Sequence, residues 1–331
     1  MIIKTFDQGW PQQYPLKQFE QQTLTSLTRP FIASEQRVVV INSLWYTDHM
    51  HEQVTTWLRE NDWDQIVLVA MLDAAISKPD RYAEFSRPVT GIGYYPGPGQ
   101  VDFWALIIDR YFQPLGQDQL LDTSKMDTAY MCLNRKPHWH RQKLFDQLTA
   151  LNLVNQGIVS MGGEGQAVLT LAQDREHDTL APNATSNYYG IPNDIVSLGY
   201  IGNWQRHLLN VVTETCYDIN LTGFVSEKIY KPIVGCRPFL VYDTNSGTKW
   251  LHDRGFETYT QDFQDISDLD LVDPDNIPNF LVALCAQTPA YWQKKFVDLQ
   301  EKILYNKDRF ADYVKEQKTI VEQGIYADQN I

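Results

Sequence analysis

Two stretches of this chain concentrate residue types suited to holding anions and hydroxyl groups. In Asn134-Arg-Lys-Pro-His-Trp-His-Arg141, five cationic or titratable groups (Arg135, Lys136, His138, His140 and Arg141) fall within seven residues. A guanidinium fork matches diphosphate oxygens in a bidentate manner, so Arg135 or Arg141 is suited to neutralising phosphate charge. The alternative is a solvated basic turn carrying an imidazole pair. The second stretch runs from Thr213 to Tyr242. It places Glu214 after one apolar run and Ser226-Glu227-Lys228 at the start of a short helical pattern that also carries Lys231. Ser226 is a good N-cap, a helix N-terminus offers backbone N–H groups to phosphate, and Lys228 adds a counter-charge. A carboxylate such as Glu227 accepts hydrogen bonds from ribose hydroxyls or a base N–H. The bland alternative has Glu227 satisfying the helix dipole and both lysines facing solvent.

The elements that must position these groups follow from periodicity. Arg37–Asn42 and Asp64–Ala70 are short β-branched runs, and between them His51–Glu60 carries Val54, Trp57 and Leu58 at helical spacing. Strand, helix and strand in succession predict a parallel sheet. The glycine- and proline-rich segment Gly91–Gly99 reads as a loop, and Val101–Phe112 resumes a helical pattern. A second series starts at Ala129–Leu133 and passes through the basic turn into a helix with Leu144, Phe145, Leu148 and Leu151 on one face. It continues with Gly157–Ser160, then a long excursion from Met161 to Asn193. Strand character returns at Leu208–Thr213 and Pro238–Tyr242, with Ser226–Val234 helical between them, Gly235 as its stop and Pro232 shortening or kinking it. Pro289–Gln323 is a long amphipathic helical region. In parallel sheets ligands bind at strand-to-helix turns, which is where the basic cluster falls.

Two other motifs do not carry the same weight. Asp268-Leu-Asp270 lies within an acidic run and reads as a solvated loop rather than a metal-holding pair, and Gly162-Gly-Glu-Gly165 is no phosphate-binding fingerprint. No zinc site is expected from His138 and His140, which lack Cys or Asp partners nearby. The 28 Lys and Arg against 41 Asp and Glu give a net charge of −13, which argues against a surface built to coat nucleic acid. The four cysteines are far apart and sit among apolar neighbours, so they read as buried reduced thiols. No stretch has the length of an apolar membrane span and the N-terminus has no signal pattern, so a cytoplasmic protein is expected.

The Thr213–Tyr242 block resembles the donor-binding half of the family-ten fucosyltransferases and related bacterial and phage glycosyltransferase-like proteins. Glu214 matches that family's acid after a strand, Ser226-Glu227-Lys228 its helix start, and Arg237-Pro-Phe-Leu-Val241 the following strand. Upstream, Leu133-Asn134 and Arg141 resemble its strand-end Ser-Asn and the arginine that reaches the donor diphosphate. The likeness covers about the second half of the chain. Lys231-Pro232 replaces the family's usual Asn-Ala pair, so a GDP-sugar is favoured as donor without specifying fucose.

The resemblance implies a GT-B-like α/β fold, with two Rossmann-like domains facing one another across a cleft. The expected acceptor-binding domain is 1–123 and the donor-binding domain 124–331, with a C-terminal helix that crosses back onto the first. It implies transfer of a sugar from a nucleoside-diphosphate sugar to a glycan or other hydroxyl acceptor, inverting and with no metal or other cofactor. Asp73, at the end of the 66–70 strand, is the candidate base and Arg141 the second catalytic candidate. Asn134, Arg135, His138, Glu214, Ser226, Glu227, Lys228 and Lys231 are the candidate donor-binding residues. The runner-up is a non-catalytic nucleotide-sugar or carbohydrate-binding protein, suggested by 9 Trp, 18 Tyr and 14 Phe, which stack on sugar faces. A third reading makes the acceptor a DNA base, against which the net charge weighs.

Overall fold

The computed structural model describes residues 2–8, 21, 37–43, 48–70, 84–85, 87, 89–93, 102–111, 120–134, 136–163, 166–169, 187–188, 191–192, 198, 201–218 and 225–323. The protein is α/β with parallel-strand sheets, and its described residues divide into two compact units. One holds those up to Ile107 together with 314–323; the other holds 108–218 and 225–313.

In the first unit β1 (Ile2–Gln8), β2 (Val38–Ser43), β3 (Gln65–Ala70) and β4 (Val89–Gly93) form a parallel sheet in that order. Helix α1 (Asp48–Glu60) connects β2 to β3 and buries Val54 and Leu58. Val38, Val39, Val40, Ile41, Ile66 and Val67 are all buried, as β-branched runs covered on both faces should be. At the head of β2, Arg37 donates its backbone N–H to Asp64 Oδ2 at 2.7 Å and its Nη2 to Oδ1 at 2.9 Å, tying β2 to β3. The start of the segment read as a loop is instead strand: Gly91 pairs with Leu68 and Gly93 with Ala70. Pairing with a formed neighbour overrides the weak strand propensity of glycine. Helix α2 (Phe103–Tyr111) follows, its residues from Ile108 on belonging to the second unit, and Asp102 Oδ1 accepts from Ala105 N at 3.0 Å in its first turn.

The second unit holds β5 (Thr128–Asn134), α3 (Trp139–Ala150), β6 (Ile158–Gly163) and β7 (Gln166–Leu169). A two-residue antiparallel pair, β8 (Asn187–Tyr188) and β9 (Ile191–Pro192), comes next, then α4 (Ile201–Arg206) and β10 (His207–Val212). After these come α5 (Glu227–Val234), β11 (Phe239–Val241), α6 (Ser246–His252), α7 (Ile277–Cys285), α8 (Pro289–Asp298) and α9 (Gln300–Gln323), whose last residues belong to the first unit. The sheet order is β11-β10-β5-β6-β7, parallel except for β6 with β7. The Gly162-Gly-Glu-Gly165 run begins inside β6, where Gly162 pairs with Ala167. The expected 289–323 helix is two helices, with Leu299 at the break.

Gly235 ends α5 as expected, but at φ −79° it is not in the left-handed region, which Cys236 occupies instead at φ 52°. Close packing requires the glycine: a Cβ there would run into the Trp204 ring and stand 2.8 Å from Lys231 O. Asp268 and Asp270 are exposed, and Asp270 Oδ1 caps a turn by accepting from Val272 N at 3.0 Å. The cysteines are all free thiols, with Cys132 and Cys236 buried and Cys216 and Cys285 partly so. No helix of the described residues is long and apolar enough to cross a membrane.

Candidate functional site

The chain leaves β5 towards β6 on one side and later returns to lay β10 on the other side of β5, so the strand order reverses between β5 and β10. Connections that depart in opposite directions leave a crevice at the carboxyl ends of such strands, the place where open α/β sheets bind ligands. Asn134 ends β5 there and Thr213-Glu214 follows β10. The Thr213 hydroxyl donates to Asn134 Oδ1, and Asn134 N donates to Ser160 Oγ at 3.1 Å, so the ends of β5 and β10 are tied to each other and to β6.

The turn after β5 is drawn onto the same point. Arg141, 2% exposed in the first turn of α3, donates Nη2 to the carbonyls of Thr213 (3.0 Å) and Glu214 (2.8 Å). The guanidinium expected to face a diphosphate therefore grips backbone oxygens and holds the end of β10. His140 Nε2 lies 2.9 Å from the Glu214 carbonyl, which can only accept, so Nε2 carries the proton and Nδ1 is a lone pair. That Nδ1 is buried with no hydrogen-bond partner, and burial, the largest cause, holds the imidazole pKa below its ordinary value. His138 stacks on His140 with ring centroids 6.0 Å apart, and burial followed by the Arg141 charge lowers its pKa to about 4. Tyr217 joins the group, 5.4 Å from the His140 ring and 4.8 Å from Trp139, which is 64% exposed.

Glu214 is fully buried and acts as an internal anion for α5. Its Oε2 accepts from Ser226 Oγ at 2.5 Å, and its Oε1 from the backbone N–H groups of Ser226 (3.3 Å) and Ile229 (3.1 Å). These are helix N-terminal donors that the sequence reading left open for phosphate; a carboxylate of the chain itself takes them, because a strand end and a helix start meet here. Lys228 lies over this cap, its Nζ 2.7 Å from Glu227 Oε1 and 3.0 Å from Ser226 Oγ. Desolvation is the largest influence on the ammonium and lowers its pKa, while Glu227 and Glu214 pull it back up. Glu227 is 3% exposed and the Lys228 side chain 21%, so the lysine is the more exposed partner of the pair. Lys231 is buried one turn further along α5.

Asn134, His138, Arg141, Glu214, Ser226, Glu227 and Lys228 thus form one connected group. Asp73 and Arg135 lie outside the described residues. Sequence reasoning passed over Thr213, Tyr217 and Asp243. Asp243 follows β11 on the far side of β10; its Oδ2 accepts from Gly247 N (2.5 Å) and Ser246 Oγ (3.2 Å), while Oδ1 is buried without a partner. Burial raises its pKa to about 6 against those hydrogen bonds, and the Glu214 charge adds to the rise. The missed signal was its position directly after a strand, the feature that singled out Glu214.

Neither family models, curated proteins nor solved structures match this chain. Among the described residues no group of three or more His, Cys, Asp or Glu side chains is placed to hold a metal ion. The arrangement presents a semi-buried ammonium clamped by a carboxylate, aromatic rings, and unpaired acceptors along one sheet edge.

Proposed function

We propose that this protein is a glycosyltransferase that binds a nucleoside-diphosphate sugar at the carboxyl ends of β5 and β10 and transfers the sugar, with inversion, to a hydroxyl acceptor. The observation that carries the reading is convergence. Residues picked from separate segments by their resemblance to family-ten enzymes (Asn134 and Arg141, Glu214, and Ser226-Glu227-Lys228) meet at a strand-order reversal. Lys228 is the group assigned to the diphosphate and Glu227 to a ribose hydroxyl or base N–H. Arg141 is a positioning residue, because its Nη2 is committed to the Thr213 and Glu214 carbonyls. Asp73 is the proposed base, and the finer architecture is GT-B with a donor-binding second unit. The donor charge is met by Lys228 and the reaction needs no bound metal.

A second reading has its own support. With Arg141 committed to carbonyls and the α5 N–H groups to Glu214, the group resembles a preformed recognition site more than one holding charge in reserve for a leaving group. That favours a non-catalytic nucleotide-sugar-binding protein. Thermal shift against a panel of nucleoside diphosphates and their sugars, followed by assay of donor hydrolysis, tests both. A melting-temperature rise with slow donor cleavage supports the enzyme, since a ligand of the native state raises its melting temperature. A rise without cleavage supports the binding protein, and no shift with any nucleotide refutes both.

A further inference from the structure

Large aromatic side chains are normally packed against other atoms, yet Trp139 opens α3 with 64% of its surface exposed. Two described rings touch it. Tyr217 stands 4.8 Å away at an interplanar angle of 65°, and His140 5.5 Å away at 80°. Both contacts are T-shaped, so the neighbours fix the indole in place and neither lies flat against it. An aromatic plane that is held but left uncovered offers offset stacking to another flat ring.

The strand that leads to Trp139 is open at the same end. β5 lies between β10 and β6, and a strand so placed in a parallel sheet is expected to be covered on both faces. Residues 128–132 and Asn134 follow that rule, whereas Leu133 is 36% exposed. The cover over the sheet therefore stops short of the carboxyl end of β5, and solvent reaches the strand just before the turn that carries Trp139. The Lys228 ammonium is tied to the same place. Its Nζ lies 3.4 Å from Thr215 Oγ1, and Tyr217, two residues further along that loop, is the residue against Trp139. Two residues of chain span at most about 7 Å, so one short segment meets the ammonium at one end and the indole at the other.

A cation and an uncovered aromatic plane at one crevice match the two ends of a nucleotide, whose anionic group and flat base are joined through ribose. We propose that Trp139 is the stacking platform for the nucleobase of the ligand, with the diphosphate at Lys228. The inference rests on the nucleotide-sugar reading for its ligand class and adds to it the residue that holds the base. Every base has a π-face, so Trp139 supplies affinity without choosing among nucleotides.

The test is calorimetric titration of the full chain with ADP, CDP, GDP, UDP and inorganic pyrophosphate, repeated with Trp139→Ala and Trp139→Phe. Replacing an exposed side chain seldom disturbs folding, and phenylalanine keeps an aromatic plane that alanine removes. For each nucleoside diphosphate that the wild type binds, Trp139→Ala is expected to raise Kd at least about fivefold and Trp139→Phe to keep it within about twofold. Pyrophosphate, which has no base, is expected to bind all three proteins equally. A smaller rise in a folded Trp139→Ala overturns the proposal and leaves the nucleotide-sugar reading standing. An equal loss for pyrophosphate also overturns it, because Trp139 would then act through the phosphate site. If pyrophosphate binds the wild type too weakly to titrate, Trp139→Phe decides: a Kd below the fivefold limit supports base stacking and one above it overturns the proposal. If Trp139→Ala does not fold, tryptophan fluorescence decides: quenching by bound nucleotide that is lost in Trp139→Phe supports the proposal, and quenching that persists unchanged overturns it. A wild-type protein that binds none of the nucleotides overturns both readings.

Discussion

Arg141 and Lys228 show how two cations of one site divide its work. Arg141 is buried and donates to two carbonyls, so it fixes the distance between the β5 turn and the end of β10. Hydrogen bonds involving a charged group contribute about 1.5–3 kcal/mol each. Arg141→Ala is therefore expected to destabilise the fold by about 3 kcal/mol, read as a lower urea midpoint. Arg141→Lys should recover only part of that, since an ammonium lacks the fork. An Arg141→Ala protein as stable as wild type would contradict this account. Lys228 is the more exposed partner of Glu227 and is assigned to ligand phosphate. Lys228→Ala is expected to weaken nucleoside-diphosphate binding at least tenfold and to lower stability as well, because it takes the ammonium away from the buried Glu227 carboxylate. Wild-type affinity in that variant would remove Lys228 from the site.

At the level of elements, α5 depends on contacts made with other parts of the chain. It has eight residues, contains Pro232, and is capped by Ser226, which is itself held by Glu214 from the end of β10. A helix this short is marginal without such contacts. Ser226→Ala is expected to cost about 2 kcal/mol, the upper end for an N-cap, because Glu214 also loses a buried donor. Chemical denaturation measures it, and a loss below about 0.5 kcal/mol would show that the backbone N–H groups hold Glu214 unaided. Two glycines set packing distances in the same unit. A Cβ at Gly157 would lie 2.5 Å from Tyr130 Cζ, whose hydroxyl is anchored to the Leu153 carbonyl at 2.9 Å. Gly157→Ala is expected to destabilise by about 1–3 kcal/mol through overpacking.

For the molecule as a whole, buried imidazoles govern the response to acid. Burial holds the His207 pKa down to about 3 and that of His138 to about 4, and lowers that of His140, against an unfolded value near 6.5. Each group takes up a proton on unfolding between its folded and unfolded pKa, so the stability it contributes is fully present above about 6.5 and lost as pH falls through that window. Asp243 works in the opposite sense: its folded pKa of about 6 exceeds the ordinary 3.8, so the native state holds its proton more tightly and stability declines as pH rises between those values. Three imidazoles outweigh one carboxylate. Near pH 5 the unfolding free energy is expected to fall with acidification by more than about 1.4 kcal/mol per pH unit, the slope for one proton. Urea titrations at pH 7, 6 and 5 measure it, and a flat profile would mean that the imidazoles are not buried neutral.

Local pattern was enough to define the β-branched strands at Arg37–Asn42 and Asp64–Ala70, the helices from His51 and Pro289, the Ser226 cap, and the clusters around Arg141 and Glu227. Burial on both faces of a sheet and the pairing of a hydroxyl with a helix start are written in residue type and spacing. Partnership was not. Whether Arg141 meets phosphate or carbonyl, whether the α5 N–H groups stay open or take Glu214, and why Gly235 must lack a side chain all depend on which strand lies beside β5, and periodicity does not contain that information. Asp243 shows the limit most clearly. In the sequence it is one of many aspartates in a turn; the β11-β10-β5 order sets it beside Glu214 at a sheet edge, where burial removes the water that would otherwise satisfy its second oxygen.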